Sequence, residues 1–156
     1  MPTPNQEIGF QNHAIQLNYV ALKELHFESN RPPSTIPESE YADPNLSMGR
    51  SDYDENSKAI QVAVKFEMNS PGRFVLRVEL VAEFRVDEGL FPKDKIHDWA
   101  NRASFYVILP FLREQVYATA IRVGLKPMMI PLMQVPTFKV EAPVASEPPA
   151  FELAPH

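Results

Sequence analysis

The sequence predicts an α+β fold in which an antiparallel sheet is covered on one face by a single long helix. Two runs, Lys58 to Asn69 and Phe74 to Glu88, alternate apolar and polar residues with the period of a half-buried strand. They are joined through Ser70-Pro71-Gly72 and so form a hairpin. The third observation is the segment from Asp94 to Gly124, the one stretch long and apolar enough to be a long helix.

Composition narrows the functional classes. A chain of 156 residues, 44% hydrophobic and 22% charged, can bury the core of one domain. Its net charge of −5, with no cluster of lysine and arginine, argues against nucleic acid or an anionic membrane as the main partner. Without cysteine there are no disulfides and no thiolate metal sites. The first residues lack the basic and apolar runs of a signal peptide, and Arg113-Glu114 interrupts the best apolar run. A cytoplasmic protein with no stable membrane insertion is therefore expected.

Residues 1–12 read as a loose arm. From Ile15 onward, Leu17, Tyr19, Ala21, Leu25 and Phe27 alternate with polar residues as one strand face. Val20 and Leu22 break the alternation, which leaves either a bulge that switches faces or two covered faces. Arg31 to Pro44 holds four prolines and cannot be regular structure. Asn45 to Asp54 is a weak strand with Leu46 and Met48 facing inward.

In the hairpin the apolar residues are even-numbered, so cross-strand partners must sum to an even number. A two-residue loop fails this rule. Loops of three or five residues satisfy it, and the expected pairing is Met68 with Phe74. The outward face then carries Lys65, Glu67, Arg77, Glu79, Glu83 and Arg85.

The long helix is expected to start after Pro92, with Asp94 near its positive end, and to stop at Gly124 with Arg122 in its last turn. Pro110 should kink it, at a cost of roughly 3 kcal/mol, because it cannot donate to the Tyr106 carbonyl. On a straight helix Ile96, Trp99, Ala100, Ala103 and Val107 form one stripe. Phe105, Ile108, Leu109, Leu112, Val116, Ala120 and Val123 fall nearly opposite. Two apolar faces need two partners, so a second copy of the chain is expected on one of them. Prolines at 127, 131 and 136 then impose an extended path. A domain over 13–140 is followed at 141–156 by a tail of Pro, Ala and Glu, read as disordered.

No catalytic or metal constellation stands out, and no enzyme activity or cofactor is expected. His26 between Glu24 and Glu28 reads as a solvated strand face. Asp52, Asp54 and Asn56 mimic the start of a calcium loop, but Ser57 takes its glycine position and Ala63 its terminal glutamate position. There is no glycine-rich phosphate loop, and Ser104 amid apolar residues reads as structural. The methionines at 128, 129 and 133 suit either core filling or a surface that accepts many apolar partners.

The order of elements resembles the SecB family of export chaperones. Leu109-Pro110-Phe111-Leu112-Arg113-Glu114 is similar to that family's Phe-Pro-Tyr-x-Arg-Glu run, with Gly124 and Pro127 following. Lys23-Glu24-Leu25-His26-Phe27-Glu28 is similar to its Lys-Asp-Ile-Ser-Phe-Glu strand end, and the likeness spans Ile15 to Phe138. The resemblance implies a four-stranded antiparallel sheet with one long helix behind it, in a homotetramer built as a dimer of dimers. It also implies an ATP-independent holdase for unfolded polypeptides in Sec-dependent export, with an acidic sheet face that docks the SecA motor. On that face Glu24, Glu28 and Val75 take family positions, whereas Arg77 departs, because the family has an acid there.

The client groove would be lined by Tyr41, Leu46, Met48, Met128, Met129, Leu132, Met133 and Phe138, and the oligomer helix by Phe105, Ile108, Leu109, Leu112 and Val116. Two departures open the groove. The family's crossover tryptophan is absent, and prolines at 143, 148, 149 and 155 forbid its second helix. The alternatives are a SecB-like chaperone serving one client, such as the antitoxin of a toxin-antitoxin pair, and an oligomeric scaffold protein without chaperone activity.

Overall fold

The computed structural model describes residues 11–131. Four strands, β1 (Ile15–Ser29), β2 (Asn45–Arg50), β3 (Ala59–Ser70) and β4 (Phe74–Val86), form one antiparallel sheet in the order β1-β4-β3-β2. Helices α1 (Ile96–Arg102) and α2 (Ser104–Val123) cover one face. The expected alternation holds in the hairpin, where Ile60, Val62, Val64, Phe66 and Met68 meet Leu76, Val78, Leu80, Ala82 and Phe84 in a buried layer. On β2, Leu46 and Met48 pair with Phe66 and Val64 and share that inner face.

The hairpin keeps the even sum but not the expected pairing. Ser70 pairs with Phe74 and Met68 with Leu76, not with Phe74, across the three-residue loop Pro71-Gly72-Arg73. Gly72 takes φ 69°, and the Arg73 amide donates to the Ser70 carbonyl at 3.0 Å. Ser70 stays in the ladder because its buried hydroxyl has work there, accepting the Ala42 amide at 2.8 Å.

In β1 a bulge does switch faces, and it does so twice. Register shifts at Asn18 and Lys23 place Leu17, Val20, Leu22, Leu25 and Phe27 opposite Phe84, Ala82, Leu80, Val78 and Leu76 on the inner face. Tyr19 and Ala21, expected inward, pair with Glu83 and Val81 on the outer face. There the Gln61 amide donates to the Tyr19 hydroxyl at 3.2 Å.

The long helix is interrupted at Ala103, whereas the expectation placed the break at Pro110, which sits exposed within α2. Ser104 explains the position. Its hydroxyl donates back to the Ala100 carbonyl, a bond that competes with the helical ladder and bends helices. The Tyr106 amide then closes a tighter turn onto Ala103 at 3.2 Å. At the far end Gly124 (φ 85°) ends α2 as expected, with the Leu125 amide returning to the Ala120 carbonyl at 2.9 Å.

The break re-phases the two halves, so Ile96 and Ala100 of α1 and Ile108, Leu109, Leu112, Val116 and Ala120 of α2 all bury into the same core. Trp99 stacks edge-on to Phe84 at 5.1 Å.

Two connections are pinned by polar side chains. In the crossover between β1 and β2, Ile36 is buried and the Glu40 carboxylate accepts from both Arg31 and Arg73. The hydrogen bond from Arg73 holds the Glu40 carboxyl below its usual range. Between β2 and β3, the residues that mimic a calcium loop build a turn, with Asp54 accepting from the Asn56 amide at 3.0 Å and the Ser57 hydroxyl at 2.7 Å.

Tyr53 ties this turn to the start of the helices. Its hydroxyl donates to Glu88 at 2.8 Å, and its amide donates to His97 Nε2 at 3.1 Å. Burial, then the bond to Glu88, pushes the Tyr53 phenol up to about 12. An unfolded tyrosine titrates near 10, so this stability is whole below about pH 10 and is lost as pH rises through about 12. Thermal melts at about pH 9 and about pH 11 should show a smaller alkaline loss in Tyr53→Phe than in the wild type. Equal losses would remove Tyr53 as the cause.

Candidate functional site: an outer sheet face and an apolar furrow

Two surfaces carry the residues expected to function. The first is the outer face of β1 and β4. Alternation and the bulge at Lys23 bring Glu24, Glu28, Val75 and Arg77 together there, with Glu28 opposite Val75 and His26 opposite Arg77. Arg77 Nε lies 3.1 Å from a Glu24 oxygen, and Lys23 reaches Glu79 at 3.2 Å. The patch is thus acidic in composition but internally neutralised, and Arg77 is the residue that does most of this.

The second surface is a furrow between the β2 edge, the crossover and α2. Tyr41 packs edge-on to Phe74 at 5.1 Å, and its hydroxyl accepts the Lys126 amide at 3.1 Å. Leu46 and Met128 pack half-buried against the core, while Met48 lies 38% exposed beside the Ser104 hydroxyl. Met129, 76% exposed, borders an apolar hollow of about 370 Å³ with Arg113, Glu114 and Tyr117. Tyr41, Leu46, Met48 and Met128 share the furrow, and Met129 faces away over its rim. Leu132, Met133 and Phe138 lie outside the described residues.

The expected oligomer helix needs correction. Ile108, Leu109, Leu112 and Val116 are at most 5% exposed, taken up by the chain's own sheet, and Phe105 packs half-buried against the same core. The apolar residues left open on α2 are Val107, Phe111, Tyr117 and Ile121, each between 38% and 49% exposed. Their spacing i, i+4, i+10 and i+14 marks one helix face and was available in the sequence once α2 is taken to start at Ser104. Beside them, Leu22 and Leu25 of the edge strand β1 are 47% and 46% exposed. A hollow of about 260 Å³ between Val20, Leu22 and Phe111 joins the two elements.

Among the described residues no group of three or more His, Cys, Asp or Glu is placed to hold a metal ion, and no helix is long and apolar enough to cross a membrane. Against known structures, the chain superposes on the Mycobacterium tuberculosis Rv1957 SecB-like chaperone, solved with a ChAD peptide from the Rv1956 HigA1 antitoxin. The TM-score is 0.62 at 16% identity, over 80% of this chain and 94% of that one.

The chain has the SecB-like fold.

That likeness covers the sheet, its order and the interrupted helix. A protein of unknown function from Streptococcus agalactiae aligns at 11% identity over 76% of this chain and 97% of its own, with a TM-score of 0.39. No family model and no curated protein matches the sequence. The SecB-like likeness is therefore one of fold, reached by a divergent sequence.

Proposed function

We propose that this protein is a SecB-like molecular chaperone, not an enzyme, that holds non-native polypeptide in its apolar furrow without ATP. The observation that carries this reading is the furrow itself, apolar, edged by methionine and open along an edge strand, on a fold shared with a chaperone solved with an antitoxin peptide. The absence of a glycine-rich phosphate loop from the sequence fits action without ATP. A dedicated client, such as an antitoxin, is favoured over Sec-dependent export. The reason is Arg77, whose pairing with Glu24 removes the negative potential a basic motor segment would need.

The assembly is proposed to be a homotetramer in the cytoplasm. Two open surfaces support it: the α2 face of Val107, Phe111, Tyr117 and Ile121, and the β1 edge with Leu22 and Leu25. Light scattering from an unrelated aggregating protein tests the chaperone reading. Suppression is expected at one assembly per client. Undiminished aggregation, together with no binding of an antitoxin-type peptide, would leave the scaffold reading.

A further inference from the structure

The segment that follows α2, residues 125–131, is held as a bound peptide is held and not as a strand or helix is held. It has no regular structure, and β2, the edge strand it neighbours, pairs with β3 alone. Its anchors are two side chains, Leu125 and Ile130, each only 4% exposed. Pro127 and Pro131 have no amide to offer a ladder. Side chains make the printed polar contacts: the Tyr41 hydroxyl accepts the Lys126 amide at 3.1 Å, and Arg113 Nη2 donates to the Pro131 carbonyl at 2.7 Å. Arg113 Nε is buried without a hydrogen-bond partner among the described residues, a second donor for an incoming carbonyl.

We infer that residues 125–131 are an intramolecular occupant of the client furrow, which a client displaces in order to bind. This rests on the chaperone reading above and names its substrate class. A client segment is extended, presents two apolar side chains at the spacing of Leu125 and Ile130, at most about 17 Å apart along the chain, and offers a backbone amide to Tyr41 and a carbonyl to Arg113. Side-chain partners for backbone groups make such a site tolerant of sequence. An occupant held by two anchors and no ladder is one that a longer segment can replace. Free protein then binds with an affinity lowered by the fraction of molecules in which the furrow is vacated.

Because the chain has no cysteine, the segment can be tethered selectively. The double variant Arg113→Cys/Pro131→Cys would be compared before and after closure with a short bismaleimide. The probe is fluorescein-labelled, reduced and carboxymethylated α-lactalbumin, a permanently unfolded chain, read by anisotropy. The closed form is expected to bind at least tenfold more weakly than the open form. The full-length variant Ile130→Ser, which loosens one anchor, is expected to bind several-fold more tightly than wild type. Equal binding by closed and open forms, or weaker binding by Ile130→Ser with an unchanged circular-dichroism spectrum, makes the segment a wall of the furrow and overturns the inference. Failure of every folded form, wild type included, to bind the probe overturns the chaperone reading and the inference with it.

Discussion

Leu112→Ala should destabilise the chain by about 3 kcal/mol, whereas Phe111→Ala, one residue earlier, should leave the stability of the isolated chain nearly unchanged and weaken its assembly. Leu112 is fully buried in the layer between α2 and the sheet, so truncation removes its transfer free energy and leaves a cavity that β3 and β4 cannot collapse to fill. Phe111 is 41% exposed at the hollow it shares with Val20 and Leu22, where only a second copy of the chain would cover it. Urea titration of each variant gives the first effect. Mass by light scattering across a micromolar dilution series gives the second. A wild type that stays monomeric throughout would remove the assembly reading of this face. Equal destabilisation by both variants would mean that the helix is rotated from the orientation described.

Much of this architecture was readable because antiparallel sheets have a period of two. The even-numbered apolar residues of β3 and β4 fixed which side faces the helix, and with it the gathering of Val75 and Arg77 on the outer face. What escaped was set by single polar atoms or single extra residues. Asn18 and Lys23 each insert one residue into β1, which sends Tyr19 outward and Leu22 inward without any change in composition to announce it. Ser70 holds the hairpin one step tighter than expected through a hydroxyl bond to Ala42, an acceptor role that alternation does not encode. The Ser104 hydroxyl interrupts the helix, and a projection onto one straight helix therefore put the sheet-facing residues on two stripes when they form one. In the furrow, Tyr41 could be placed by composition. Its bond to Lys126 joins positions 85 apart in sequence, and no periodicity reaches across that distance.

Arg77→Glu should raise the affinity of the outer face for a lysine-rich peptide about tenfold at low salt, with the gain shrinking as ionic strength rises. In the wild type, Arg77 stands opposite Glu67 on one side and His26 on the other and pairs with Glu24 at 3.1 Å. Reversal changes the local charge by two and frees the Glu24 carboxylate to act with Glu28 on a cation. It also sets two carboxylates directly opposite across β3 and β4, so the variant should lose up to about 1 kcal/mol of stability. Arg77→Gln, which removes the charge without adding repulsion, should give an intermediate gain in affinity and a smaller loss of stability. Isothermal titration at two ionic strengths, with urea unfolding in parallel, separates the two effects. If affinity is indifferent to the sign of residue 77, the acidic residues around it are a solvated sheet face. If it follows that sign, one arginine decides whether this face can receive a basic partner, and the present chain is built with it closed to one.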